Sequence, residues 1–132
     1  MKYRAISENH LYGKAYAKGK KYAGNYVVIY VLRDYFAAKL RRENPLGESI
    51  NRIGLTVRKK QGGAVIRNRM KRIIREAYRQ IDCAYHIERG NLIVIVARDA
   101  VKTAKMQDVR RDMKKGLIRL SMIDATRTEH SE

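Results

Sequence analysis

The sequence predicts an α+β fold, a two-layer sandwich of helices on a small mixed sheet in the order α-β-β-α-β-α. Three observations carry this. Asn25–Arg33 (NYVVIYVLR) is a strongly β-prone run. Residues 64–82 and 103–120 place apolar side chains at helical spacing. Leu92–Ala97 is an unbroken apolar run, as a central strand has. A chain of 132 residues suits one domain, read as residues 1–124 with a frayed polar tail at 125–132.

Taken in order, Ser7 is the expected cap of a first helix reaching Lys18, with Gly19 as its stop. In that helix Leu11 and Ala15 share one stripe, Tyr12 and Tyr16 the next. In the following strand, Tyr26, Val28, Tyr30 and Leu32 face one side, and Val27, Ile29 and Val31 the other. Asp34–Asn51 holds the only proline, Pro45, and reads as a long hairpin loop, with 35–42 able to extend the strand or form a turn of helix. Arg52–Arg58 alternates, with Ile53, Leu55 and Val57 inward; Lys59–Gly63 (KKQGG) then turns the chain into a second helix from Ala64 to about Asp82. Gly90 and Asn91 turn it into the strand at 92–97. Thr103 is the expected cap of a last helix buried along Met106, Val109, Met113, Leu117 and Leu120.

Charge is the strongest compositional signal. Thirty Lys and Arg against thirteen Asp and Glu give a formal +17, and the excess is clustered. Residues 1–42 carry ten basic and two acidic side chains, and 58–79 carry nine and one. On the second helix, Arg67, Asn68, Lys71, Arg72, Arg75 and Arg79 fall within an arc of roughly 140°. Ile66, Met70, Ile73, Ile74, Ala77 and Ile81 fill the opposite arc. Only Glu76 could relieve the basic face, and the cations near the helix start oppose the macrodipole. Such a face suits a polyanion; nucleic acid, a plain solvated face and a membrane surface are the three candidates. Nine tyrosines and no tryptophan add the ring platforms on which single-stranded nucleic acid stacks in a charged groove.

Catalytic constellations are missing. There is no H-E-x-x-H, G-x-S-x-G or Walker A spacing. His10, His86 and His130 are scattered, and Cys83 is alone, so neither a metal site nor a disulfide framework is expected. Asp108 and Asp112, at i,i+4 among Arg110, Arg111, Lys114 and Lys115, read as a solvated charged face. No apolar run approaches the roughly 18 residues of a membrane span; the expectation is a soluble cytoplasmic protein without a membrane partner.

The stretch Lys59-Lys60-x-Gly62-x-Ala64-Val65-x-Arg67-Asn68-Arg69-x-Lys71-Arg72-x-x-Arg75-Glu76 resembles the RNR signature of the bacterial ribonuclease P protein component. Upstream, Tyr12, Tyr16, Gly19 and Tyr30 match that family's aromatic pair, glycine and strand aromatic, so the resemblance spans roughly Ile6 to Leu120. It implies a partner to a catalytic RNA that removes the 5′ leader of precursor tRNA with Mg²⁺ held mainly by the RNA, the protein being inactive alone. Carried over, Arg67, Asn68, Arg69, Lys71, Arg72 and Arg75 would face the RNA subunit and phosphates near the cleavage site. Tyr12, Tyr16 and Tyr30 would line the leader cleft, with Lys59 and Lys60 beside it. The implied partners are ribonuclease P RNA and precursor tRNA, with no obligate protein partner. The resemblance also implies a left-handed β-α-β crossover, against the general right-handed rule. Two departures stand out: Tyr rather than Phe at positions 12 and 16, and a longer loop at 34–51. A ribosomal-type RNA binder would share the charge without the RNR spacing. A DNA-binding regulator would want a helix-turn-helix partner where the sequence has a strand.

Overall fold

A computed structural model describes residues 3–124. The strands are β1 (Tyr3–Ala5), β2 (Lys20–Ala23), β3 (Val27–Arg33), β4 (Asn51–Thr56) and β5 (Asn91–Ala97); the helices are α1 (Asn9–Lys18), α2 (Ala37–Glu43), α3 (Ala64–Tyr85) and α4 (Met106–Arg119). They form one mixed sheet in the order β1-β4-β5-β3-β2, parallel at β1–β4 and β4–β5, antiparallel elsewhere. The α+β class and central β5 are those expected from sequence. Two short strands are additional, β1 and β2, and α2 takes the helical alternative that the sequence left open for 35–42. The predicted tail at 125–132 lies outside the described residues.

Strand alternation divides the core. Val27, Ile29, Val31, Ile53, Ile93 and Ile95 point to α3 and α4, where Met70, Ile74, Ala77, Ile81, Val109, Met113 and Leu117 meet them. Leu92 and Val94 point the other way, to Leu11 and Ala15 of α1. The two expected layers are thus the sheet and the α3–α4 pair, with α1 laid as a partial cover over the opposite face. The predicted stripe of α4 packs as proposed, Met106 being half-buried at its start.

The handedness of β4-α3-β5 follows from chirality. With α3 toward the viewer and β4 running upward, Ile53 points forward into the α3 core. An L-residue in that pose aims its carbonyl to the right, and Ile53 O accepts the Ile6 N–H at 3.0 Å from the β1 side. β5 therefore lies to the left of β4, and the crossover is left-handed, as the resemblance implied and the general rule did not. α3 reaches the β4–β1 edge through Tyr78, which meets the Tyr3 ring and the Asn51 side chain.

Several expectations change. Asp34–Asn51 is not a hairpin loop, because β5 stands between β3 and β4; it folds its own helix, α2, anchored by buried Leu40. Ser7 does not cap α1: Glu8 occupies the cap, and the Ser7 hydroxyl donates to Glu8 Oε1 at 2.7 Å. Gly19 does end α1, in extended rather than left-handed backbone. Thr103 closes a short 3-10 turn (Asp99–Thr103), and Lys105 precedes α4. Ile66 lies on the exposed first turn of α3.

Asp112 is the largest change. It is not on a solvated face: it is buried beneath the β2–β3 turn. Its carboxylate accepts Tyr22 Oη–H at 2.7 Å, Tyr26 N–H at 2.8 Å and Val27 N–H at 3.1 Å. Gly24 permits the approach, since a Cβ there would lie 2.2 Å from Asp112 Oδ1. Asp108 alone keeps the surface role, 3.4 Å from Arg111. Asp112→Ala would leave two backbone N–H groups and a buried hydroxyl without an acceptor, and should lower stability by on the order of 3 kcal/mol. Urea denaturation measures this, and a loss below about 1 kcal/mol would show that water replaces the carboxylate.

Candidate nucleic-acid interface

The site is built where α1 stops covering the sheet. The register places Lys21, Tyr30, Val94 and Gly54 in one row across the strands, and Ala23, Val28, Val96 and Thr56 two residues further on. Both rows share the α1 face. Leu11 and Ala15 bury the first turns of α1 against Leu92 and Val94, but Val28, Val96 and Thr56 are left half-open. Above this strip stands Tyr16, 41% exposed. Its ring meets Tyr30 edge-on, centroids 4.9 Å apart, and its hydroxyl lies 3.2 Å from Thr56 Oγ1. Lys21 Nζ sits 5.8 Å from the Tyr30 ring centroid. The result is a cleft with a ring wall, an apolar floor and a cationic rim.

Tyr12 takes a different position. Its ring lies flat on the backbone of β4 at Gly54, where a Cβ would come within 2.5 Å of the ring. Burial, then the neighbouring Tyr16, raises its hydroxyl pKa above the ordinary value. Because β1 pairs with β4 only as far as Ile53, Tyr12 reaches a pocket at that edge, lined also by Tyr3, Leu55, Tyr78, Lys71 and Arg75. The aromatic stripe of α1 and the basic face of α3 thus meet at the edge of β4. Tyr26, expected on the Tyr30 side of the strand, lies just before β3 and packs with the α3–α4 core instead.

The turn into α3 is locked by Gln61, which sequence reasoning passed over. It is buried, accepts Arg58 N–H at 2.8 Å, and donates to Ala97 O at 2.9 Å and Asp99 Oδ1 at 3.0 Å. Lys59 and Lys60 on the same turn stay exposed beside the cleft end of β4. Arg58 and Arg98, which follow β4 and β5 at this end, are exposed as well. They, with Lys21, are the cations the motif search missed; only strand register places them here.

The basic residues of α3 divide into two groups. Arg69 folds onto the 3-10 turn before α4, donating to Val101 O (3.3 Å), Lys102 O (2.6 Å) and Ala104 O (3.2 Å). Arg67 Nε reaches Gly62 O at 3.2 Å. Arg79 grips Glu76 at 2.7 Å, holding its carboxyl down at about 2. By contrast, Asn68, Arg72 and Arg75 are exposed and Lys71 is half-buried. None of the four makes a side-chain hydrogen bond or ion pair with a described residue. The first turn also exposes Val65 (85%) and Ile66 (43%), apolar surface next to these cations. Among the described residues no three His, Cys, Asp or Glu side chains converge as a metal site, and no helix is long and apolar enough to cross a membrane.

A basic α+β domain with an aromatic cleft beside a helix of unpaired cations has the surface that suits a nucleic-acid-binding protein. Comparison makes this particular. The ribonuclease P family model matches residues 1–121, and the chain belongs to the ribonuclease P protein family. It is 33% identical over 114 residues to the ribonuclease P protein component of Clostridium acetobutylicum, covering 86% of each chain. To that of Clostridioides difficile it is 32% identical over 111 residues, 84% of this chain and 86% of the relative. The fold matches the Staphylococcus aureus RNase P protein (TM-score 0.69, 24% identity, 91% and 97% of the two chains) and that of Thermotoga maritima (0.66, 22%, 92% and 99%). Membership makes the chain a subunit of an endoribonuclease with a role in tRNA 5′ processing, partnered with ribonuclease P RNA.

The Arg67–Arg69 pair yields a test of this division. Both lie outside the apolar arc, and sequence alone expects neutralising either to leave the fold intact. The structure separates them: Arg69→Gln should lower stability by about 1–3 kcal/mol through the lost carbonyl partners, and Arg67→Gln by less than about 0.5 kcal/mol. Chemical denaturation of the two variants checks it, and equal losses would refute the division.

Proposed function

We propose that the protein binds the ribonuclease P RNA through the exposed cations of α3 and holds the single-stranded 5′ leader of precursor tRNA in the cleft under Tyr16. The observation that carries this is the meeting of rings and unpaired cations at the β4 edge. Stacking on a tyrosine ring contributes about 1–3 kcal/mol per base and is indifferent to which base it is, as a protein serving many tRNA precursors requires. Lys21, Lys59 and Lys60 would follow the leader phosphates; Arg67, Asn68, Lys71, Arg72 and Arg75 would meet the RNA subunit and the phosphates near the cleavage site. Arg69 would join them while bracing the turn before α4.

Chemistry is assigned to the RNA. Mg²⁺ prefers hard oxygen ligands, and the acids nearest the interface are engaged: Glu76 with Arg79, Asp99 with Gln61. The side chains of the described residues do not form a Mg²⁺ ligand set, and on this reading the ion would be held by the RNA. The protein's part is to neutralise phosphate repulsion and fix the leader, which lowers the Mg²⁺ the RNA needs. Such a holoenzyme would work in the cytoplasm.

Reconstitution tests this. The protein alone should not cleave precursor tRNA, and added to a bacterial ribonuclease P RNA it should shift the Mg²⁺ requirement for cleavage downward. Cleavage by RNA-free protein, or an unchanged requirement, would overturn the assignment.

The cleft has its own test. Tyr16→Ala should weaken holoenzyme binding of precursor tRNA by about 1–3 kcal/mol, while Tyr16→Phe, which keeps the ring, should cost little. Mature tRNA lacks the leader, so its affinity should not respond to either. Equal losses for both RNAs would place the leader elsewhere.

A further inference from the structure

The segment between β3 and β4 carries basic residues that neither the cleft nor α3 uses. α2 is held firmly: Phe36 N–H and Ala37 N–H donate to the Asp34 side chain and carbonyl at 3.0 Å each, and Leu40 is buried. After it, Asn44 closes the turn through Leu46 N–H (3.0 Å) and the Glu48 carbonyl (3.0 Å). Arg41 Nε donates to Gly47 O at 3.0 Å, which fixes its fork. The built turn leaves a shallow concavity of about 580 Å³ lined by Arg33, Arg41 and Arg42, with Ala38, Gly47 and Ser49 among its other walls. No carboxylate and no aromatic ring lines it.

The other flank of α2 differs. There Arg4, His10, Lys39 and Arg52 share their surface with Glu8 and Glu43, an ordinary mixed-charge face. Three arginines around one open concavity without an acid repel one another unless an anion lies between them. Arg33 and Arg42 make no side-chain hydrogen bond or ion pair with any described residue. Arginine forks match phosphate oxygens, and Ser49 adds a hydroxyl.

The kind of polyanion follows from what the concavity lacks. Single-stranded leader wants rings to stack on, and none is here. Helical RNA turns its bases inward and offers phosphates and 2′-hydroxyls. The place agrees: Arg33 lies five residues along β3 from Val28 of the cleft, about 17 Å at roughly 3.3 Å per residue, toward the opposite end of the sheet. We propose that Arg33, Arg41 and Arg42 form a second phosphate-contact surface, which receives a helical segment of the ribonuclease P RNA. This rests on the proposed function and adds to it a site on the far end of the domain.

The test is binding of the full-length protein to ribonuclease P RNA alone, without tRNA, over a series of salt concentrations. Each phosphate contact contributes about 0.7–0.9 to the log–log slope. Arg33→Gln with Arg42→Gln should therefore flatten the slope by about 1.4–1.8 and each single substitution by about half that, leaving Arg41 to hold the turn. Arg33→Lys with Arg42→Lys should keep the slope, and Lys39→Gln, on the mixed-charge flank, should not change it. The preference for precursor over mature tRNA should stay as in wild type. An unchanged slope in the single and double glutamine variants, with wild-type binding intact, overturns this surface and leaves the proposed function standing. A loss of precursor preference without a change in slope also overturns it, by assigning the arginines to the leader. Failure of the wild-type protein to bind the RNA removes the proposed function and this site together.

Discussion

The arrangement depends on one buried charge. Arg52, at the start of β4, has 9% of its side chain exposed and faces Asp34, with 1%. The two are joined at 2.6 and 2.9 Å, and Arg52 also reaches Glu8 at 2.8 Å. The Asp34 hydrogen bond leads the effects that raise the Arg52 pKa above an already high value, so this guanidinium stays charged. Removing one partner of such a buried pair costs about 3–5 kcal/mol, because the other charge is left in a dry place. Geometry matters more here than that energy. Glu8 is the entry of α1, Asp34 ends β3 and opens α2, and Arg52 begins β4. One guanidinium therefore sets where α1 starts over the sheet, and with it the height at which Tyr12 and Tyr16 stand above β4.

From there the cleft follows from incomplete coverage. α1 is ten residues long, about 15 Å at 1.5 Å per residue, and it is pinned at the Arg52 end. It buries Leu92 and Val94 and leaves Val96, packed at the margin of that cluster, half-buried. A longer helix would close the strip and leave Tyr16 packed in a core. α3 supplies the other wall: Tyr78 meets Tyr3 of β1 edge-on, and Lys71 and Arg75 line the pocket beside Ile53 and Leu55 of β4. That edge is free beyond Ile53 because β1 is only three residues long. The short strand and the placement of α3 thus have a common effect, which is to let rings from one face and cations from the other meet around an open edge.

Much of this was legible in the sequence, for identifiable reasons. Long periodic elements were read well: β3, β5, α3 and the buried stripe of α4 follow from patterns that packing enforces. Elements of three or four residues were not. Lys20–Ala23 has one buried side chain, Tyr22, and KKYA carries no alternation to recognise. The pairing order was also hidden. Asp34–Asn51 has the turn residues of a hairpin, but local chemistry cannot say that β5, forty residues later in the chain, will insert between the two strands. Asp112 failed for a related reason: its neighbours in sequence are cations, while its partners Tyr22, Tyr26 and Val27 lie some 85–90 positions away.

The RNR stretch shows why a helical wheel finds a binding face but not its members. Angle around the axis separates apolar from polar positions, and it grouped the basic side chains of α3 together. The fold then treats them differently according to what lies opposite each. The carbonyls at the end of a 3-10 turn face Arg69, and a helix carboxylate faces Arg79. Lys71, Arg72 and Arg75 face neither, and their charge has no partner among the described residues. An arginine at position 69 therefore answers two demands at once, since lysine there would keep the positive field but lose the brace on the turn that precedes α4, and a neutral side chain would lose both. Position 72 answers only one, and there a lysine would serve the field nearly as well wherever the phosphate is met by one oxygen rather than gripped by a fork. Dependence on arginine geometry should thus be strict where the side chain also holds the protein together and looser where, under the proposed function, it would only meet the RNA.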